Sequence, residues 1–156
     1  MLPENLKEYA VATAVEAFDA DAITGGKFAL GELTLEIAPA KIASVAGFLK
    51  YDQQFVRLSS VTAVDRHPGQ PRFEIVYHLH SVTKNARLRL KCRLAGDAPQ
   101  IESVTGVWRG AGWYEREVFD LFGIRFEGHP DLRRILMPDD WEGYPLRKDY
   151  PVTGFK

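Results

Sequence analysis

The sequence predicts an α+β domain: an antiparallel β-sheet with helices packed on one face, followed by an extended irregular C-terminal arm. Two N-terminal segments carry apolar residues at helical spacing. Between residues 55 and 108, apolar and polar residues alternate in successive short segments, as in half-buried strands. The loops between these segments are short, and parallel pairing needs a crossover of about a dozen residues or more. With 156 residues, 46% of them hydrophobic, the chain is long enough for one domain with its own core.

The N-terminal part is predicted to hold two helices around one strand. Pro3 to Phe18 follows helical spacing, and a proline suits the first helical turn. Asp19 to Gly26 contains two glycines and is interpreted as a break. Leu33 to Ile37 alternates as a strand, and a second helix begins at Pro39 and continues to about Lys50.

Four further strands are predicted, over Phe55 to Val64, Arg72 to Ser81, Ala86 to Leu94 and Ile101 to Trp108. The third has the clearest alternation, which places Cys92 on an apolar face and makes it a core residue. A single cysteine cannot provide an internal disulfide or the four thiolates of an iron–sulfur cluster.

The other face of that strand carries four cations, Arg87, Arg89, Lys91 and Arg93. Such a row could bind phosphates, but no aromatic residue is interleaved to stack on bases, and the formal net charge of the chain is −1. We therefore expect a solvated face, or ion pairs with acids of a neighbouring strand, and no nucleic-acid partner.

A short amphipathic helix is predicted from Gly112, with Gly123 as the residue that ends it. Arg116 and Asp120 are spaced as an i, i+4 ion pair. Glu115, Glu117 and Asp120, with His129, could suggest a metal site or acid–base chemistry, but adjacent helix positions diverge around the axis. We therefore expect a structural ion network with nearby arginines, and no catalytic or metal-binding group.

The last segment, residues 129 to 156, has no regular period and contains Pro138, Pro145 and Pro151. It holds too many apolar groups for a solvated tail, and its Trp, Tyr and Arg content is typical of interface anchors. We divide the chain into a domain, residues 1 to 128, and a docking arm, residues 129 to 156. We expect the arm to lie partly on its own domain and partly on a partner, and to be mobile when no partner is bound.

Two blocks in this region resemble a known family. The first is Glu115-Arg116-Glu117-Val118-Phe119-Asp120-Leu121-Phe122-Gly123-Ile124 with His129-Pro130-Asp131-Leu132-Arg133-Arg134-Ile135-Leu136, and the second runs from Trp141 to Tyr150. Together they resemble the signature of the C subunit, or NuoC-type subunit, of respiratory complex I. Many members of that family continue with a long acidic and aromatic extension, whereas the sequence here ends at Lys156.

The resemblance implies a peripheral-arm subunit of a proton-translocating NADH:quinone oxidoreductase that binds no flavin, iron–sulfur cluster or quinone itself. FMN and the clusters are then expected in partner subunits. The expected partners are the D subunit of complex I foremost, and neighbouring subunits of the connecting module and peripheral arm. The expected location is the cytoplasmic side of the bacterial inner membrane, with membrane attachment only through partners. Related subunits occur in membrane-bound hydrogenases, so the electron donor stays open.

The residues expected to bind the partner all lie in the arm and carry charged, aromatic or branched side chains, or a proline. They are His129, Asp131, Arg133, Arg134, Ile135, Leu136, Trp141, Tyr144, Pro145, Leu146, Arg147, Lys148 and Tyr150. In particular, the three arginines are expected to pair with partner carboxylates or carbonyls, and the aromatic rings to fill partner pockets.

Overall fold

The computed structural model describes residues 1–155 and contains three α-helices and seven strands in that range. The helices are α1 (Ala10–Phe18), α2 (Ile42–Tyr51) and α3 (Ala111–Phe122). The strands are β1 (Ile23–Ala29), β2 (Glu32–Ile37), β3 (Arg57–Asp65), β4 (Phe73–Ser81), β5 (Ala86–Leu94), β6 (Gln100–Glu102) and β7 (Arg125–Glu127).

Five strands form the main sheet, in the order β1-β2-β5-β4-β3. The predicted α+β class is confirmed, but the sheet is mixed, because β2 and β5 run parallel with Leu33 beside Leu88 and Leu35 beside Leu90. Short loops dictate antiparallel pairing only between strands adjacent in sequence, such as β3, β4 and β5. Between β2 and β5 the chain passes through α2 and two strands, which is long enough for a parallel crossover.

Strand β1 lies where a break was predicted from the sequence, so that prediction was wrong. Its two glycines are integral parts of the strand. A Cβ atom on Gly26 would lie 2.7 Å from the Thr34 carbonyl oxygen and 2.8 Å from the Leu6 side chain. Gly26 therefore allows the close approach of the first turn of the chain to the sheet.

Two predicted elements are shorter or divided in the structure, and one short strand was not predicted. The first predicted helix is divided, because Glu4–Leu6 forms a separate 3₁₀ turn and Tyr9 is extended before α1 begins. The predicted strand from Ile101 to Trp108 ends at Glu102. β6 pairs in parallel with β7, a strand that was not predicted from the sequence.

The core lies between the helices and one face of the main sheet, where Ile75, Tyr77, Leu90 and Cys92 are almost fully buried. Cys92 is fully buried, which confirms it as a core residue, and burial raises the pKa of its thiol. Within residues 1–155, no helix has both the length and the apolar composition needed to cross a membrane.

Candidate functional site

The arm packs against the C-terminal end of α3. Gly123 has φ 72° and its N–H binds the Phe119 carbonyl, which confirms its predicted role as the residue that ends the helix. A Cβ atom here would lie 2.5 Å from the Tyr144 ring and 2.8 Å from the Arg147 guanidinium. Glycine is therefore required both by the backbone angle and by the arm residues that pack against it.

Asp120 fixes the first part of the arm. Its carboxylate is fully buried, and its Oδ2 accepts the N–H groups of Ile135, Leu136 and Met137 at 3.1, 2.7 and 2.9 Å. Its Oδ1 accepts a bond from Arg134 Nη1 at 2.8 Å. Burial acts to raise the pKa of Asp120, but these donors outweigh it and the pKa is lowered, so the group is held as the carboxylate.

Arg134 links α3 to the turn that follows it in the arm. Besides Asp120, its guanidinium binds the Trp141 and Gly143 carbonyls at 3.1 and 2.9 Å and lies 5.2 Å from the centre of the Tyr144 ring. Arg134 is thus engaged by its own chain on several sides.

The predicted ion pair between Arg116 and Asp120 is wrong. Arg116 donates instead to the carbonyls of Arg133 and Arg134, at 3.1 and 2.9 Å. The i, i+4 spacing would permit the pair, but Asp120 faces the interior and Arg134 occupies its free oxygen. Both residues still bind the arm, Arg116 through backbone carbonyls and Asp120 through backbone N–H groups.

Arg147 caps the end of α3. Its Nε donates to the Phe122 carbonyl at 2.6 Å and its Nη2 to the Asp97 carbonyl at 3.1 Å. The guanidinium lies between the Phe73 and Tyr144 rings, 5.1 and 4.9 Å from their centres. A cation is favourable at a helix C-terminus, where the unpaired carbonyls concentrate negative partial charge.

A buried charge cluster ties down the second part of the arm. Arg72 binds both oxygens of Asp65 at 2.9 Å and reaches Asp149 of the arm at 2.6 Å. The Lys148 N–H donates to Asp65 at 2.8 Å. Burial acts to raise the pKa of Asp65, but the bonds from Arg72 and from the Lys148 N–H lower this pKa strongly.

Asp65 and Arg72 were not identified from the sequence. They flank the turn between β3 and β4, and antiparallel pairing brings the two ends of such a turn together. The signal available in the sequence for this pair was an acid at the end of one strand and a base just before the next strand.

Glu115 is fully buried and has no arginine partner, contrary to the expected network. It accepts bonds from the Ser103 hydroxyl at 2.6 Å and the Val104 N–H at 2.8 Å, and burial raises its pKa. His129 Nε2 lies 4.0 Å away, with its ring held by the Gly112 carbonyl and the Asp131 N–H.

The side chains of Glu115 and His129 are 0% and 2% exposed, whereas Glu117 lies on the exposed side of α3. Among residues 1–155, no group of three or more His, Cys, Asp or Glu side chains is arranged to hold a metal ion.

Several apolar side chains of the arm are exposed. The exposed fractions are 38% for Ile135, 61% for Leu136, 40% for Trp141, 50% for Leu146 and 57% for Phe155. We call these five residues the outer face of the arm. Acidic side chains of the arm, such as those of Asp140 and Glu142, are exposed as well. The arm is therefore bonded to the domain and still leaves apolar groups exposed.

The remaining predicted arm residues are exposed or half-buried. Arg133 pairs with Asp131 at 2.9 Å, and Tyr150 packs edge-on against Phe155 with ring centres 5.3 Å apart. Pro145 is half-buried and the side chain of Lys148 is exposed. The expected mobility of the free arm stays a prediction, and these bonds to the domain are contacts that such motion would have to break.

On the sheet, three of the four cations of β5 pair with glutamates. Lys91 pairs with Glu74 at 2.7 Å, Arg93 with Glu36 at 2.8 Å, and Arg89 with Glu32. The three cations therefore form the ion pairs with a neighbouring strand that were one of the two predicted alternatives. In the part of the chain that the structure describes, Arg87 forms no such pair.

Comparisons with known proteins agree with these observations. The family described as "Respiratory-chain NADH dehydrogenase, 30 Kd subunit" matches residues 35–156. The C 2 subunit of NADH-quinone oxidoreductase from Rhizobium etli is 53% identical over 122 residues, covering 77% of this chain and 65% of the relative. The C subunit of NADH-quinone oxidoreductase from Cereibacter sphaeroides is 45% identical over 157 residues, covering 99% of this chain and 76% of the relative.

Two solved structures share the fold. A chain of the membrane-bound sulfane sulfur reductase, described as an archaeal respiratory membrane complex, is 29% identical with a TM-score of 0.79, covering 94% of this chain and 86% of that one. The trypsin-resistant fragment (1-134) of Nqo5 is 29% identical with a TM-score of 0.67, covering 77% of this chain and 97% of the fragment. The sequence and the fold together show that this chain belongs to the respiratory-chain NADH dehydrogenase 30 Kd subunit family, whose bacterial relatives are named as C subunits of NADH-quinone oxidoreductase.

Proposed function

We propose that this chain is a structural subunit of the peripheral arm of a proton-translocating NADH:quinone oxidoreductase. It docks against the D subunit of that complex and supports the quinone-reducing module while electrons pass from NADH to quinone through other subunits. Its place is the cytoplasmic side of the bacterial inner membrane, which it reaches only through partners. The names of the bacterial relatives support this assignment.

The arm carries the proposal. Two of its arginines, Arg134 and Arg147, are bonded to its own domain, and the apolar residues of the outer face are exposed. Exposed apolar side chains on a well-anchored segment favour association with another protein, because little conformational entropy is lost on binding. The arginines were expected to bind the partner directly. We propose instead that they hold the arm in its conformation and that the outer face contacts the partner.

We further propose that this chain holds no redox cofactor, so that FMN and the iron–sulfur clusters belong to partner subunits. The chemistry of its donor groups supports this. The single thiol, that of Cys92, is buried in the core and stays protonated, whereas cluster ligation uses several thiolates. The buried carboxyl groups of α3, Glu115 and Asp120, are bonded to backbone N–H groups, a hydroxyl and the Arg134 guanidinium.

The test is binding to the co-expressed D subunit. We expect Leu136→Ser combined with Leu146→Ser to weaken that binding at least about tenfold, since truncating a good interface anchor costs roughly 2 kcal/mol or more. Val82→Ser is the matched control, because Val82 is 63% exposed in the turn between β4 and β5, away from the arm. Affinity is measured by biolayer interferometry on purified proteins, and circular dichroism checks that each variant is folded. Unchanged affinity of the double variant would refute docking through the outer face.

The likeness to a chain of the membrane-bound sulfane sulfur reductase favours one alternative, a respiratory membrane complex that is not an NADH:quinone oxidoreductase. Both assignments give the chain the same structural task. Purifying the assembled complex through this chain and identifying its subunits distinguishes them: an NADH-binding flavoprotein is expected, and its absence would favour the alternative.

A further inference from the structure

The face of the main sheet opposite the helices contains a cavity of about 310 Å³. Residues of β2, β3, β4 and β5 line it, among them Arg57, His80, Arg87 and Arg89. It lies apart from the arm.

Strand register places three basic side chains in one row across the cavity. Arg57 of β3 is paired with His80 of β4, and His80 is paired with Arg87 of β5. Directly opposed residues in antiparallel strands point to the same face and lie about 5 Å apart. The row is therefore built into the sheet and does not depend on a flexible loop.

The two arginines of this row differ from the other cations of the same face. Arg89, Lys91 and Arg93 each pair with a glutamate of a neighbouring strand. Within residues 1–155, no carboxylate oxygen lies within 4.0 Å of a guanidinium nitrogen of Arg57 or Arg87. The two arginines lie two strands apart, about 10 Å at the backbone, on either side of His80. Both are available to an anionic group of a partner without the breaking of an existing ion pair.

The floor of the cavity is rigid. His78 Nδ1 lies 3.0 Å from the Ser60 hydroxyl, and its Nε2 accepts a bond from Arg89 Nε at 3.1 Å. Arg89 also donates to Thr34 and Glu32. This chain of bonds across four strands fixes the surface beneath the row, so little ordering is needed when a ligand binds.

The surroundings of Arg57 indicate a protein ligand. Arg57 also borders a second groove with Tyr51 and Val56, which are 68% and 53% exposed, and with Lys50 and Arg109. Exposed aromatic and aliphatic groups interspersed with arginine are the composition of a protein interface. A small anion would use the cations alone and leave these apolar groups in water.

We propose that an acidic segment of a partner subunit docks on this face and continues past the edge strand β3 into the second groove, with carboxylates on the row of Arg57, His80 and Arg87 and an apolar residue on Val56 and on Tyr51 at the end of α2. The inference rests on the proposed role as an assembly subunit, and adds to it a second docking surface with a defined charge preference. The side of the sheet away from the helices thereby becomes an interface in the complex.

Photo-crosslinking in the assembled complex tests it first. A photoreactive amino acid at position 87 is activated, and the attached peptide is identified by mass spectrometry. We expect a partner segment with at least two Asp or Glu residues near the attachment point. Absence of a crosslink, or a segment without acids, would overturn the proposal.

Charge reversal gives the second test. We expect R57E/R87E to be incorporated into the complex at least about tenfold less than the unaltered chain, because each reversal sets like charges together at the interface. K27E is the matched control: Lys27 is an exposed cation on β1 of the same sheet but does not line the cavity. Reversing the acids of the crosslinked segment to Lys should restore incorporation of R57E/R87E, and failure to restore it would count against the proposal.

The outcomes separate this inference from the proposed function. Normal incorporation of R57E/R87E, with binding to the D subunit still lost in the Leu136 and Leu146 double variant, would refute only the second surface. Titration of the isolated chain with inorganic phosphate, followed by NMR, covers the small-anion alternative. Saturable binding that is lost in R57E/R87E, together with unimpaired assembly, would overturn the protein-segment proposal.

Discussion

At the scale of single residues, Glu115 and Asp120 show how neighbouring groups decide what a buried carboxyl does. Both belong to α3 and both are fully buried. Burial raises the pKa of Glu115, which has only a hydroxyl and one N–H as close donors. Asp120 has three N–H groups and a guanidinium, and these overcome burial and lower its pKa. The same helix therefore carries two buried carboxyl groups with opposite responses to pH.

Asp120→Asn should destabilise the chain by about 3 kcal/mol at pH 7, because Arg134 loses its counterion in a mostly buried site. A lowered pKa stabilises the folded state above the ordinary value of 3.8, and this contribution is lost as pH falls through the folded pKa. The cost of the substitution should therefore shrink in acid. Urea unfolding at several pH values measures it, with Asp140→Asn, on the exposed arm surface, as control. Equal effects of the two substitutions would contradict the assignment.

Glu115→Gln should show the opposite trend. A raised pKa means that the folded state binds the proton of Glu115 more tightly than the unfolded state does. The stability contributed by Glu115 is therefore complete below the ordinary pKa of 4.5 and is lost as pH rises through the folded pKa. Glutamine does not titrate and can still accept the Val104 N–H. The stability of Glu115→Gln relative to the unaltered chain should therefore increase with pH, as followed by urea unfolding between pH 4 and 8. A difference independent of pH would refute the raised pKa.

At the scale of elements, the end of α3 and the arm form one unit. Gly123 turns the chain, Arg147 caps the last carbonyls, and the Leu146 N–H binds the Leu121 carbonyl at 3.0 Å. The helix thus ends where the arm returns to it, and a change at either should disturb the other.

Gly123→Ala should release the arm. Alanine in a left-handed conformation costs about 1–2 kcal/mol, and a clash with a packed ring adds about 1–3 kcal/mol. Gly128→Ala is a close control, because Gly128 has φ 79° but no atom within 4 Å of its Cβ position. We expect both variants to lose stability, Gly123→Ala by about 2 kcal/mol more, and trypsin to cleave faster after Arg147 and Lys148 only in Gly123→Ala. Identical cleavage rates would show that Tyr144 and Gly123 are not coupled.

At the scale of the whole molecule, the arm is held by residues far apart in sequence. Asp120 binds the beginning of the arm. The carbonyls of Phe122 and Asp97 accept hydrogen bonds from Arg147. Asp65 accepts a bond from the Lys148 N–H, and Arg72 donates to Asp149. A sheet, a helix and a loop must therefore be in place before the arm can settle. The outer face presented to a partner is thus a product of the complete fold.

Arg72→Met should destabilise the chain by about 3–5 kcal/mol, because it leaves Asp65 as a buried charge without its counterion. Arg66→Met is the control: the Arg66 side chain is 56% exposed and pairs with Glu74, so we expect a loss within about 1 kcal/mol. Differential scanning calorimetry measures both. In addition, amide exchange at Lys148 should be faster in Arg72→Met, and unchanged exchange there would argue against a shared cluster.

Much of the fold was predictable because its signals are local. The alternation over Ala86–Leu94 gave β5 with its observed bounds, and Gly123 was recognised as the end of α3. Strand β1 was missed because Gly25 and Gly26 weaken the strand pattern, and β7 because three residues carry too little pattern. In the candidate site, the arm residues were identified by composition, but the partners of Arg116, Arg134 and Arg147 were not, because these contacts span distances in sequence that no local pattern encodes.

The sequence by itself determined the fold class, the core position of Cys92, the family resemblance and the aromatic and basic character of the arm, because each depends on residue type and short-range spacing. Only the tertiary structure decided that β2 and β5 run parallel, that Asp120 faces inward to bind Arg134, and that the apolar residues of the outer face of the arm are exposed. The physical reason is that a buried charge or an exposed apolar group is defined by what surrounds it, and in a folded chain those surroundings come from distant segments.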